Sequence, residues 1–156
     1  SSTATALDYL LIDTAGDLHA LRKPDKKALS EALETLNIAQ CLYFGPVLVM
    51  GGEVQTVYNT YGFAPQDKSP RTAIGQTGPL SYVLVVVDGR QDTSRGVTHK
   101  QLAAFMGSLG CTVAYNLDGG GSSTLLFHGE VYNSVSGDGE RDVSDILYFC
   151  SGVTAP

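Results

Sequence analysis

The sequence predicts an α+β fold, a mixed, hairpin-rich β-sheet with two main helices packed on it. Three observations carry this. Apolar runs of strand length outnumber helical patterns, neighbouring runs are split by brief turns rich in Gly, Pro and Asp, and the two helical patterns stand singly between groups of strands. With 156 residues and 43% hydrophobic content the chain can fill one core but not two, so residues 7–150 are expected to form a single domain. Residues 1–6, Ser-Ser-Thr-Ala-Thr-Ala, read as a linker or a processed end.

Tyr9–Asp13 and Leu18–Leu21 flank the polar turn Thr14-Ala15-Gly16-Asp17 and read as a hairpin. Lys26–Leu36 then sets Leu29, Ala32, Leu33 and Leu36 at helical spacing, with Lys27, Glu31 and Glu34 on the other side, a stripe expected to pack into the core. Gln40–Phe44 and Pro46–Met50 are strands interrupted by Gly45-Pro46, and Gly51-Gly52 turns the chain into Glu53–Tyr58. Asn59–Pro70 lacks periodicity and reads as a surface loop, in which Tyr61 and Phe63 either line a ligand site or, the plainer reading, pin the loop to the core. Arg71–Gln76 and Leu80–Val87 form a second hairpin across Thr77-Gly78-Pro79, its later arm apolar on both faces as a central strand is. Thr98 with Gln101 resembles a capping box, and Leu102, Ala103, Phe105, Met106 and Leu109 follow before Gly110 stops the second helix. Cys111–Leu117 is a buried strand delivering Asp118 at its end, Thr124–Phe127 pairs with Glu130–Asn133 across His128-Gly129, and Asp145–Cys150 is the last strand.

Composition removes several classes of function. Lys+Arg 10 against Asp+Glu 16, a formal net charge of −6, leaves no basic field for nucleic acid, so neither DNA nor RNA is an expected partner. The longest apolar stretch, Tyr82–Val87, is far below the ~20 residues that cross a bilayer, so no membrane span is expected in this chain. Cys41, Cys111 and Cys150 lack the short spacings of zinc or redox sites; Cys111 and Cys150 stand at strand edges where pairing is conceivable, but free buried thiols are the expectation. No cofactor and no obligatory metal are expected, since no regularly spaced oxygen-ligand loop is present.

The run Asn116-Leu117-Asp118-Gly119-Gly120-Gly121-Ser122-Ser123-Thr124 is the strongest candidate site. Three consecutive glycines are costly to order and are tolerated where a tight turn or a close approach requires them. A carboxylate and three hydroxyls beside them suit an oxygen-rich ligand. No lysine follows Gly121 as a P-loop needs, the dinucleotide spacing with its following helix is missing, and Gly121-Ser122-Ser123-Thr124 lacks the second glycine of a nucleophile elbow. Ser122–Phe127 reads instead as a strand leading into a hairpin, and His19, His99 and His128 read as surface residues. Two successive buried strands end in Asp-Gly, at Asp88-Gly89-Arg90 and Asp118-Gly119, and so bring two carboxylates to one sheet edge, while Glu140-Arg141 adds a third. Paired carboxylates are what glycosyl transfer to water requires. Arg71, Arg90 and Arg141 offer planar forks that match phosphate oxygens.

Phe44-Gly45-Pro46-Val47-Leu48, Ser69-Pro70-Arg71-Thr72-Ala73-Ile74-Gly75, Val87-Asp88-Gly89-Arg90 with Ser94 and Gly96, the Asn116–Thr124 run and Glu140-Arg141 together resemble the phosphodiester glycosidase domain family, in the family's order from about Leu7 to Phe149. The resemblance implies hydrolysis of a small-molecule or glycan sugar-1-phosphodiester at the anomeric carbon, outside the cytoplasm or in a cell envelope. In that frame Asp118 is the nucleophile or oxocarbenium stabiliser, Glu140 or Asp88 transfers the proton, and Arg71, Arg90 and Arg141 hold phosphate. Thr72, Asn116, Gly119, Gly120, Gly121, Ser122, Ser123 and Thr124 would orient the substrate. Family members carry a further N-terminal stretch, here to be supplied by a missing segment or a second chain. The alternatives from the same residues are a carbohydrate-binding or cell-envelope module without catalysis, or an inactive fragment of the enzyme.

Overall fold

The computed structural model describes residues 7–58, 61, 64–137 and 139–149. A hairpin of β1 (Asp8–Asp13) and β2 (Leu18–Leu21) opens the fold. Its turn is held by Asp13, whose Oδ1 accepts the Ala15 and Asp17 amides while Oδ2 meets His19 Nε2 at 2.8 Å. That contact with His19 is the main reason the Asp13 carboxyl lies below its ordinary value, backbone donors adding to it. After α1 (Lys26–Thr35), β3 (Ile38–Phe44) pairs with β1, giving the order β2-β1-β3.

The main sheet has the order β5-β4-β8-β6-β7, built from β4 (Val47–Met50), β5 (Glu53–Val54), β6 (Arg71–Gly78), β7 (Ser81–Val87) and β8 (Val113–Leu117), with α2 (His99–Ser108) between β7 and β8 in sequence. Alternation along its strands splits the core into two layers. Leu48, Val49, Ala73 and Ala114 pack with Leu102, Ala103 and Met106 of α2, whereas Val47, Ile74 and Tyr115 pack with Leu10 and Leu18 of the hairpin sheet. Gly75 lets α2 approach its strand, since a Cβ there would meet Cys111 Sγ and Met106 Cε at 2.5 and 2.8 Å. The Thr98–Gln101 capping box is present and Gly110, at φ +78°, ends the helix turn.

The buried Asp8 carboxylate joins the layers. It accepts the amides of Lys23 and Val47 and the Tyr61 hydroxyl, and the Tyr115 hydroxyl donates to the Asp8 carbonyl. Tyr61 therefore pins its loop, and burial, followed by the Asp8 carboxylate, pushes its phenol up to about 12. Phe63 lies outside the described residues.

The α+β class holds, with several differences in detail. The strands form three sheets, and every pairing among the described residues is antiparallel. α1 buries none of its side chains fully and leaves Leu33 46% exposed, so its stripe lies over the edge of the molecule. The strand expected over Glu53–Tyr58 stops at Val54, and the late hairpin shrinks to β9 (Leu126–Phe127) and β10 (Glu130–Val131). No strand forms over 145–149, although Leu147 packs on the hairpin-sheet core; Cys150 lies outside the described residues. Cys41 and Cys111 are free thiols, Cys41 exposed and Cys111 buried, and burial raises both above the ordinary thiol value. Among the described residues no helix is long and apolar enough to cross a membrane.

Candidate active site

Strand register brings the two Asp-Gly corners to the same end of the sheet. Arg71 lies opposite Val87 and Thr72 opposite Leu117, so Asp88 and Asp118 leave the sheet on either side of the start of β6. One strand separates them, an axis-to-axis spacing of about 9–10 Å.

Ser69-Pro70, just ahead of β6, is the point on which the surrounding loops close. A Cβ on Gly119 would sit 2.7 Å from the Pro70 carbonyl oxygen, and one on Gly89 2.6 Å from the Pro70 nitrogen; Gly96 meets Ser69 backbone more closely still. Gly120, at φ +60°, donates its amide to the same Pro70 carbonyl at 3.0 Å. These approaches bend the expected strand at Ser122 into a single 3-10 turn over Gly120–Ser122.

Asp118 is exposed on this turn and its carboxylate is fixed from three sides. Oδ1 accepts the Gly119 amide at 2.9 Å, and Oδ2 accepts the Ser122 hydroxyl and Arg141 Nη2, both at 2.7 Å. Arg141 Nε donates to the Ser122 oxygen at 2.8 Å, closing a triangle of carboxylate, hydroxyl and guanidinium. Both charged partners are more than half exposed, so the pair contributes orientation more than stability. Glu140 is exposed beside Arg141, with no hydrogen bond or ion pair among the described residues.

Behind the turn the expected ligand groups are engaged with the protein itself. Ser123 is buried and shares a hydrogen bond with Thr72, and its carbonyl accepts Asn133 Nδ2. The Asp88 carboxylate accepts Asn133 Nδ2 at 3.3 Å and the Ser134 amide at 3.1 Å, so it braces the segment after β10. Asn116 is buried, donating to the carbonyls of Gly45 and Leu117. The amides of Gly119 and Gly120 are used within the turn or on Pro70, while Gly121 and Thr124 line it half-buried.

Arg71 does not offer its fork to solvent. It is 5% exposed and donates to the carbonyls of Val97, Ala64 and Asp67 and to His99 Nε2. Burial, then the neighbouring Arg90 charge, lowers its pKa. His99, expected on the surface, is fully buried because the Arg71 guanidinium lies against it. Desolvation first, and Arg71 second, hold its ring at about 3, so the ring is neutral, and Nε2 accepts from Arg71 with the proton on Nδ1. Interaction with Asn116 opposes that shift, and among the described residues His99 Nδ1 and Asn116 Oδ1 are buried with no hydrogen-bond partner. Asn133 and His99 escaped sequence reasoning because their roles depend on residues far away in the chain. His19 is half-buried against Asp13, and His128 is exposed as expected.

Arg90 does face the site. It holds a left-handed backbone at φ +59°, unusual for a side-chain-bearing residue, and a Cβ on Gly120 would lie 3.2 Å from its Nη1. Beyond it an open basin of about 490 Å³ is lined by Lys68, Arg90, Gln91, Asp92 and Arg95. Among the described residues no group of three or more His, Cys, Asp or Glu side chains is arranged to hold a metal.

The α+β frame that carries this turn is similar to that of a solved glycosidase. The catalytic domain of zebrafish N-acetylglucosamine-1-phosphodiester alpha-N-acetylglucosaminidase, auto-inhibited by its pro-peptide, matches with a TM-score of 0.64 and 25% identity over 83% of this chain and 45% of that one. The family model of the phosphodiester glycosidases matches residues 2–150, and the chain belongs to that family. The SPbeta prophage-derived uncharacterized protein YomE of Bacillus subtilis (strain 168) is 38% identical over 104 residues, 67% of this chain and 16% of YomE. A Burkholderia pseudomallei K96243 protein named as exported shares the fold, with a TM-score of 0.55 and 24% identity over 87% of this chain and 37% of its own. The chain thus spans less than half the length of these relatives.

Proposed function

We propose that the chain hydrolyses a sugar-1-phosphodiester at the anomeric carbon, giving free sugar and a phosphomonoester, and that it works outside the cytoplasm. The observation that carries this reading is the Asp118–Ser122–Arg141 triangle, which puts an oriented carboxylate and a phosphate-matching fork 2.7 Å apart on an exposed turn. The C1–O bond breaks with its electron pair leaving on the phosphate, and a water oxygen takes its place at C1. Phosphate is a good leaving group, so charge stabilisation by Arg141 and Arg90 replaces much of the demand for a strong acid. Asp118 attacks or stabilises the sugar carbon, and its guanidinium partner moves onto the departing phosphate. Glu140 takes the proton from water; Asp88, whose oxygens are engaged by Asn133 and Ser134, acts as a brace. Arg71 and Asn116 serve as buried supports beneath the turn.

Hydrolysis in ¹⁸O-water of a sugar phosphodiester tests this. Label in the released sugar supports the reading, and label in the phosphomonoester overturns it in favour of attack at phosphorus. Asp118→Asn, an exposed change, should keep the fold while lowering kcat by about 10²–10⁴-fold. Glycan binding by wild type without any sugar release would assign the chain to the binding modules.

A further inference from the structure

We propose that the basin beside the Asp118 turn is a second anion subsite, which takes a phosphate carried by the aglycone beyond the phosphodiester that is cut. This rests on the hydrolase reading above and deepens it, naming the substrate as an ester with at least two phosphate groups.

The basin concentrates positive charge. Lys68, Arg90 and Arg95 converge on one basin with a single carboxylate, Asp92, in a chain whose formal net charge is −6. None of these three cations makes an ion pair or hydrogen bond among the described residues, where the ion pairs are His19–Asp13, Lys27–Glu31 and Arg141–Asp118. Arg71 adds a fourth positive charge beneath, its hydrogen bonds going to carbonyls and a neutral ring, with the Asp67 carboxylate near enough to act on it electrostatically. Cations that outnumber the carboxylates among them repel one another, so the arrangement is relieved when an anion enters. A phosphodiester carries one negative charge, and Lys68, Arg90 and Arg95 together exceed it.

The basin also adjoins the Asp118 turn. The Arg90 guanidinium lies against Gly120, so the basin opens directly off the reactive turn. Its volume of about 490 Å³ falls in the ~300–1,000 Å³ range of small-molecule sites and accommodates a phosphate with the group attached to it.

Hydrogen bonds brace the loop that carries Arg90 and Arg95. Ser94 donates to the Asp88 carbonyl at 2.6 Å, Gln91 and Ser94 exchange backbone hydrogen bonds, and Ser69 and Val97 pair as an isolated bridge. Gln91 Nε2 also donates to the Ser134 carbonyl at 2.7 Å. The loop bearing Arg90 and Arg95 is therefore tied to the segment that follows Lys68, and the three cations are displayed from one braced unit.

Two kinds of substrate carry such a second phosphate, a sugar diphosphate and a polymer of phosphodiester units. Titration calorimetry with inorganic pyrophosphate and with a short glycerol-phosphate oligomer separates them, and both probes are run on wild type and on the Lys68→Ala/Arg95→Ala double variant. At low salt one probe or both should bind wild type roughly tenfold or more tightly than the variant, with an affinity that falls as salt rises. The tighter probe identifies the substrate type. With sugar-1-phosphate esters, wild type should favour a phosphorylated aglycone over a methyl one in kcat/KM, and the double variant should lose that preference. Equal binding of both probes by wild type and variant, or an unchanged aglycone preference, overturns the proposal. If neither ester is hydrolysed the hydrolase reading fails, and the calorimetry still decides whether the basin is an anion site.

Discussion

His99 stands in the first turn of α2 with no solvent exposure, its Nε2 against the Arg71 guanidinium. Its ordinary value of 6.5 drops to about 3 in the fold, chiefly by burial. Between those values the unfolded chain takes up a proton that the folded chain refuses. The stability this residue contributes is therefore full above about pH 6.5 and is lost as pH falls towards 3, by up to ~1.4 kcal/mol per pH unit. His99→Gln retains an acceptor for Arg71 and has no ring to protonate. Urea midpoints followed from about pH 7.5 to about pH 4 should fall less steeply for the variant than for wild type. Parallel slopes would show that the ring titrates alike in both states.

The turn after β8 shows how one element depends on another. Gly119 and Gly121 look equivalent in sequence, yet a Cβ on Gly119 meets the Pro70 carbonyl at 2.7 Å, whereas one on Gly121 reaches only Arg141 Cδ at 3.5 Å. Gly119→Ala should cost about 1–3 kcal/mol. Gly121→Ala should stay within about 0.5 kcal/mol in the same denaturation assay. Comparable losses at both positions would mean that chain entropy, and not the contact with Pro70, decides. This is also where the sequence runs out as a guide. The alternation of Ala73-Ile74 and Ala114-Tyr115 announces strands with two buried faces, and the Thr98–Gln101 pair announces the helix start, because those signals are local. The 3-10 turn at Gly120–Ser122 answers to a carbonyl some 50 residues earlier in the chain, and the burial of Arg71 to a histidine from another element. The Asp118 corner was visible as a strand end; the bracing of Asp88 by Asn133, and the cations at 68 and 95, were not.

At the scale of the molecule, two antiparallel sheets and a helix layer meet with little shared secondary structure, and the Asp8 carboxylate bridges them. Its oxygens receive amides from Lys23, on the chain between β2 and α1, and from Val47, the first residue of β4, as well as the hydroxyl of Tyr61. Neither sheet can part from the other without stripping these donors from a fully buried anion. The fold should accordingly open as one cooperative unit: in native-state hydrogen exchange the Val47 amide should exchange only by global unfolding, in step with amides of β6 and β8. In Asp8→Ala the amides of β1 and β3 should exchange ahead of the main sheet, and simultaneous exchange there would refute the coupling. Tyr61, held by the same carboxylate, stands a few residues ahead of the Ala64 and Asp67 carbonyls that hold Arg71, so loosening one acidic residue of the first strand should also loosen the support beneath the Asp118 turn.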